Sequence, residues 1–397
     1  MSINYLLKLY NKLANRRKSG SSYPVIYNVN GLDESSCNKR ALFIYIVKPF
    51  LLDDDDPYLL RHHHSKQSIQ IAKILGEAGF PVDVVDIRDN NFEPSKDYSL
   101  VICNRERDIR LINKDARKIY LATTLPHKTH NENLRRRHAL HEIRCGRRIK
   151  VRRMYPESMP YVDVSSGIIS IGNDFITSKW REVFNGPIYS YNNYGFKETE
   201  FIYDSKDFTT ARRNFLYFAS GSQMQKGLDL LLEIFPKHPD LHLYICSDYE
   251  KEKDFCDCYH KELYETANIH PLGRITVNGP EYSELVGKCA YVITPSCSDG
   301  QSGSVVQCMY SGLIPLVTKE VGIDTEDFGI TFTDDSLEEI ERVILQVSEL
   351  HESWHRQRSL RTRRVSEEKY SEDAFINRWR YILGEIINST VTKTLSS

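Results

Sequence analysis

ITPSCSDGQSGSVVQCMYSGLIPLVT, residues 293–318, leads from a buried strand through a loop of small residues into a helix and then into a second strand. The strand ends at Pro295, the helix begins near Gly303, and Gly312 closes it before LIPLVT. Small residues at such a turn let backbone N–H groups approach a ligand. The helix start adds orphan donors and a positive dipole, which together suit an anion such as a diphosphate. An ordinary connection whose serines cap the helix leaves the same pattern, so both readings stand on this feature alone.

Working outward, the same rhythm recurs on either side. Upstream come the strand NFLYFAS, a helix over 227–235, the strand LHLYICS, a helix over 254–267, IHPLG, and a helix over 281–289. The first half opens with ALFIYIV (41–47), followed by a helix over 68–75 that Gly76 and Gly79 terminate, and then by VDVVDI. SLVIC (99–103), KIYLAT (118–123) and GIISIGN near Ile168 continue it. Short apolar runs alternating with helical periodicity predict parallel sheets with helices on their faces. Residues 189–206, rich in Tyr, Asn, Asp and Gly, read as a linker. The chain closes with charged helices to about Val365 and a last one over 373–387, with Phe375, Trp379 and Ile382 on one face.

The 397 residues exceed what one core usually holds, and two domains imply a cleft. Lys and Arg total 53 against 54 Asp and Glu, so no global field draws a polyanion, and nucleic acid is not an expected partner. The nine cysteines are scattered and odd in number, which fits a reducing cytoplasm better than a disulfide framework. No run approaches the ~20 apolar residues of a membrane span. Ile3, Leu6, Leu7, Tyr10 and Leu13 recur at helical spacing ahead of Arg16, Arg17 and Lys18, so a peripheral contact with the inner membrane face stays open beside a helix packed on its own domain. The densest positive charge runs from Arg135 to Arg153, where Leu134, Leu140 and Ile143 predict a helix with one packed and one solvated face. A surface for an acidic acceptor, lipid or nucleic acid is the other reading of that run.

The 293–318 segment resembles the signature of retaining glycosyltransferases of the GT-B type, family 4, in which PS…E-G-x6-E precedes a small-residue helix and a G-x-P turn. Here it stands as Pro295-Ser296, Asp299-Gly300, Gln307 and Gly312-Leu-Ile-Pro315. The resemblance implies that Asp299 lies by the donor sugar and that Gln307 binds the ribose. Both depart from the usual Glu: Asp299 keeps the charge on a shorter side chain, while Gln307 loses the carboxylate. A second match, Phe218 to Glu233, resembles the family's G-R-x4-K-G segment and implies that Lys226 is a donor phosphate ligand. Gly221 stands where the Arg is common, so Arg274 becomes the candidate for a second cation.

From this resemblance follows a fold of two Rossmann-like α/β domains, GT-B, with parallel sheets facing across a cleft. The divisions are a lead-in over 1–40, an acceptor domain over 41–195, a nucleotide-sugar domain over 196–370, and a segment over 371–397 whose helix crosses back to the first domain. The donor, a nucleotide-diphosphate sugar acting as co-substrate, is expected on Ser222, Lys226, Arg274, Gly300, Gln301, Ser302, Gly303, Ser304 and Gln307. The acceptor, a glycan, lipid-linked or other hydroxyl, is expected near His64 and Ser65 in the loop after the first strand. Asp299, Lys226 and either His127 or His130 are the catalytic candidates, with no cofactor and no enzyme nucleophile required. His62, His63 and His64 after four aspartates do not make a metal site, because sequence neighbours rarely converge on one ion. Cys256, Cys258 and His260 sit in a helix with no second pair at zinc spacing and read as packing. Two rivals share the fold: a non-catalytic sugar-binding scaffold, which the losses at Gly221 and Gln307 favour, and a nucleotide-sugar epimerase or hydrolase.

Overall fold

The computed structural model describes residues 24–60, 63–104, 115–197 and 206–389. The amphipathic segment before Lys18, His62 and the end of the C-terminal segment lie outside the described residues.

Among the described residues twelve strands form two six-stranded parallel sheets. The first comprises β1 (Ala41–Tyr45), β2 (Val82–Asp86), β3 (Leu100–Cys103), β4 (Arg117–Ala122), β5 (Gly167–Ile171) and β6 (Ile188–Tyr191), in the order β2-β1-β3-β4-β5-β6. The second comprises β7 (Asn214–Phe218), β8 (His242–Cys246), β9 (Ile269–Pro271), β10 (Tyr291–Thr294), β11 (Ile314–Val317) and β12 (Ile330–Thr331), in the order β12-β11-β10-β7-β8-β9. β1, β7 and β10 are buried along their whole length, as parallel strands covered by helices on both faces require.

In the second sheet the chain travels outward from β7 through β8 to β9, then restarts at β10 on the other side of β7. This reversal opens a crevice beyond the carboxyl ends of β7 and β10, the place where open α/β sheets receive ligands. The Lys226 turn follows β7 and the Asp299 loop follows β10, so topology alone makes the two motifs neighbours.

Several elements differ from expectation. The first long helix spans His63–Glu77, which puts His64 and Ser65 in its first turn and not in a loop. The helix after β7 is broken into Gln223–Lys226 and Leu228–Ile234 by Gly227, whose φ of 82° and contact with the Pro295 backbone leave no room for a Cβ. The helix expected over 254–267 is likewise two pieces, Lys253–Cys258 and His260–Glu265. The expected linker begins as an edge strand, since 189–191 belong to β6, and continues with Tyr194 and Phe196 buried. The final helix, Glu372–Asn388, inserts Phe375, Trp379 and Ile382 into the core of the first sheet.

The largest departure concerns the basic run. His127–Cys145 is one helix, but its apolar residues do not all face inward: Leu134 is buried while Ile143 is 79% exposed. Arg137, 1% exposed, takes the inner position instead. Its guanidinium donates to Asp229 at 3.4 Å, to Asp335 at 2.8 Å and to the Pro295 carbonyl at 2.9 Å, all in the second half of the chain. Arg144 reaches Asp229 and Glu233, and Arg152 reaches Asp254 and Glu252. Buried carboxylates opposite the helix turned the periodicity inside out, because a buried charge must be paired. The run is therefore mainly a seam between the two halves.

Candidate functional site

The site is assembled where the loop after β10 meets the ends of both sheets. Three close approaches of backbone to backbone build it. A Cβ on Gly300 would lie 2.8 Å from the Thr123 carbonyl oxygen, and a Cβ on Gly172 would lie 2.6 Å from the Gly300 oxygen. The Leu125 amide donates to the Asp299 carbonyl at 3.1 Å, joining the end of β4 to the loop.

Lys226, 7% exposed, directs its ammonium to the Asp299 carboxylate, whose other oxygen accepts from the Gly300 amide at 3.1 Å. The turn that carries Lys226 is pinned to the loop by the Cys297 amide on the Gln225 carbonyl (2.9 Å) and by the Gln225 amide on the Ser298 carbonyl (2.6 Å). The Gly303–Tyr310 helix starts at Ser302, whose side chain makes no cap hydrogen bond, so the first-turn amides keep their donors. The Gly303 backbone lies against the His63 ring, where a Cβ would come within 2.6 Å of Nδ1. The structure thus brings together Lys226, Asp299 and Gly300, with Ser302, Gly303 and Ser304 following in the same loop and helix start.

His130 ties the other half of the chain to this loop. Its Nε2 lies 2.8 Å from the Arg153 carbonyl, which can only accept, so Nε2 carries the proton and Nδ1 accepts from the Ser298 hydroxyl at 2.8 Å. Burial lowers its pKa to about 4, and the ring stays neutral. With both nitrogens committed, His130 positions the loop and leaves no atom for a sugar. His127 donates from Nδ1 to the Pro156 carbonyl at 2.8 Å and stacks on Tyr155, with ring centroids 4.7 Å apart.

Six expected site residues are occupied elsewhere or withdrawn from the surface. The Gln307 amide is fully buried; its oxygen accepts from the Phe196 amide at 2.8 Å and its nitrogen donates to the Phe196 carbonyl at 3.2 Å. Gln301 is used in the same way, accepting from the Asn193 amide at 2.6 Å and donating to Asn192 and to the Gly322 carbonyl. Both glutamines strap residues 192–196 across the helix, so neither faces a nucleotide. The Ser222 amide is taken by Glu252, which also accepts from Gln223 at 3.2 Å. Arg274 pairs with Asp248 at 3.1 Å, beyond β8 and β9 at the far edge of the sheet. Ser65 is 1% exposed and not offered to an acceptor, and His64 sits edge-on to Tyr45.

Two residues with a part in this geometry were not anticipated. Ser298 lay in plain view in the loop, but only the fold brings His130 to it. Glu252 lies after β8, and no local pattern ties it to the turn after β7. Among the described residues no group of three or more His, Cys, Asp or Glu side chains is placed to hold a metal ion, and no helix is long and apolar enough to cross a membrane.

Two six-stranded parallel sheets, with a lysine turn after β7 and a glycine-rich loop after β10 held together at the second, give the chain the GT-B fold. More particularly, residues 212–349 match the family model of group 1 glycosyl transferases. Among solved structures the fold is similar to sucrose-phosphate synthase from Thermosynechococcus elongatus, with 10% identity over 89% of this chain and 100% of that one and a TM-score of 0.61. It is also similar to HepE from Anabaena, solved with UDP and glucose, at 13% identity over 89% and 100% of the chains and a TM-score of 0.56. TarM from S. aureus, solved as a variant with fondaparinux, α-GlcNAc-glycerol and UDP, matches at 16% identity over 73% of this chain with a TM-score of 0.50. This chain spans 55% of the length of TarM. No curated protein matches the sequence.

Proposed function

We propose that this protein moves a sugar from a nucleoside-diphosphate sugar to an acceptor hydroxyl, with retention at the anomeric carbon, in the building of a glycan or polysaccharide. The observation that carries this reading is the buried Lys226 ammonium, held through Asp299 beside the uncapped start of the Gly303–Tyr310 helix. That pairing lies inside the matched group 1 region, and HepE and TarM, which share the fold, were solved with UDP.

In this reading the diphosphate lies over Lys226 and the first-turn amides of the Gly303–Tyr310 helix, and the sugar points toward Asp299. The bond between the anomeric carbon and the diphosphate oxygen breaks with its electron pair leaving on that oxygen. The acceptor oxygen bonds to the same face of the carbon and its proton is released, giving glycoside, nucleoside diphosphate and H+. Fixed positive groups aimed at the departing oxygen lower the barrier without a metal. The seam between the two halves keeps water out of the cleft and so limits hydrolysis of the donor. A lipid-linked acceptor, and work at the inner face of a membrane in the cytoplasm, extend the same proposal. The ribose is met by groups other than Gln307, which stays with Phe196.

A thermal-shift panel of UDP, GDP, ADP and TDP sugars tests this. At least one donor is expected to raise the melting temperature of the wild type and to lose that effect in Lys226→Ala; no shift with any nucleotide sugar would overturn it.

A further inference from the structure

The GT-B motif in this chain has one cation after β7 where two are common, and Arg274, the expected replacement, is paired with Asp248 at the edge of the sheet. The basic run supplies the answer. Arg135 pairs with Glu157, Arg136 with Asp335, Arg137 with Asp229 and Asp335, and Arg144 with Asp229 and Glu233. Arg147 donates to the Cys258 carbonyl, Arg148 pairs with Glu142, and Arg152 pairs with Asp254 and Glu252. Arg153 is exposed and, among the described residues, its guanidinium makes no ion pair or hydrogen bond.

Its backbone is also the one in that run held against its preference. Arg153 has a φ of 58°, in the left-handed region that a residue with a Cβ seldom adopts. His130 holds it there by donating to its carbonyl at 2.8 Å, while the other nitrogen of the same ring takes the hydroxyl of Ser298, the neighbour of Asp299. A strained turn kept by a buried histidine thus sets the root of that guanidinium one imidazole ring away from Ser298, the neighbour of Asp299. Tyr155 reports the same proximity. Burial raises its phenol, the Arg153 charge opposes that rise and the Asp299 charge adds to it, so both charges act on one hydroxyl.

We propose that Arg153 is the second cation of the diphosphate site, binding the donor's phosphates across the cleft from Lys226. The proposal rests on the nucleotide-sugar reading of that site. A guanidinium offers a planar fork of donors to phosphate oxygens, and its charge offsets what gathers on the departing diphosphate. Because it comes from the first half of the chain, the diphosphate is gripped only when both halves are docked.

Calorimetric titration of the full chain with UDP, GDP and ADP, and with the matching nucleosides, tests the assignment. The diphosphate that binds the wild type is expected to bind Arg153→Ala about 10- to 100-fold more weakly, the magnitude of a lost charged hydrogen bond. Its nucleoside should bind both proteins alike, and Arg153→Lys should recover part of the loss. Arg153→Gly, which relaxes the backbone, should lose the same affinity while melting no lower than the wild type. Undiminished diphosphate binding in Arg153→Ala, with binding lost in Lys226→Ala, would sink the role of Arg153 and leave the site standing. Equal weakening of nucleoside and diphosphate would also sink it, by marking a structural effect. A wild type that binds none of the three diphosphates, or a Lys226→Ala that binds as well as wild type, would remove the site itself and Arg153 with it.

Discussion

At position 307 the side chain must donate and accept at once, because the Phe196 amide and the Phe196 carbonyl both meet it in a fully buried setting. An amide does this and an ionised carboxylate cannot. The departure from Glu that looked like a lost ribose contact is therefore a structural choice: the helix uses this residue to fasten the crossing segment. Gln307→Glu would set a carboxylate oxygen against the Phe196 carbonyl and the Asn278 amide oxygen, two acceptors. A loss of roughly 1–3 kcal/mol in unfolding free energy is expected at pH 7.5, read from urea denaturation. The deficit relative to wild type should shrink near pH 5 as the carboxyl gains a proton and can donate again. Lys226, Asp299 and the Gly303 helix start were legible in the sequence because local spacing carries them. The buried roles of Gln301 and Gln307 were not, since Asn193 and Phe196, which they fasten, lie more than 100 residues away.

Among the elements, the strands were the most readable, because a fully buried parallel strand is a short apolar run and little else. Helix limits were less so. Nothing local announces that the first long helix begins at His63, and the break at Gly227 answers to the Pro295 backbone across the crevice. The His127–Cys145 helix shows the limit of periodicity. Its inward face holds Arg137 because Asp229 and Asp335 wait opposite, and its Ile143 faces solvent. Removing Arg137 leaves Asp229 to Arg144 alone and takes the donor from the buried Pro295 carbonyl, so Arg137→Ala is expected to cost about 1.5–3 kcal/mol. Arg148→Ala, at an arginine whose side chain is 85% exposed and pairs with Glu142, is expected to leave stability close to that of the wild type. Comparable losses in the two variants, measured by denaturant unfolding, would contradict the assignment of this helix as the seam.

For the whole molecule, the same seam makes stability depend on acid. His127, His130, His138 and His141 lie on one helix, and burial lowers the pKa of each, His130 and His138 to about 4. The unfolded chain protonates these rings near pH 6.5 while the folded one holds them neutral, so the unfolded state binds more protons as pH falls. Stability is full above pH 6.5 and declines toward pH 4. Asp335, held to about 2 where Arg136 and Arg137 outweigh its burial, keeps its charge through that window. The melting temperature is expected to drop steadily from pH 7.5 to 5 at constant ionic strength, and a flat profile would contradict the burial of these rings. The two-sheet architecture was readable from the alternation of runs, whereas the docking of its halves depends on charges that only the folded chain brings face to face.

The loop after β10 touches Thr123 and Leu125 at one end, Gly172 in the middle and Gln225 below, mostly through backbone atoms. On the proposed reading, donor contact and interlobe fit are thus written into the same loop residues. Exchanging that loop for one from a related enzyme would transplant half of a joint, and a graft aimed at a new donor has to carry the ends of β4 and β5 along with it.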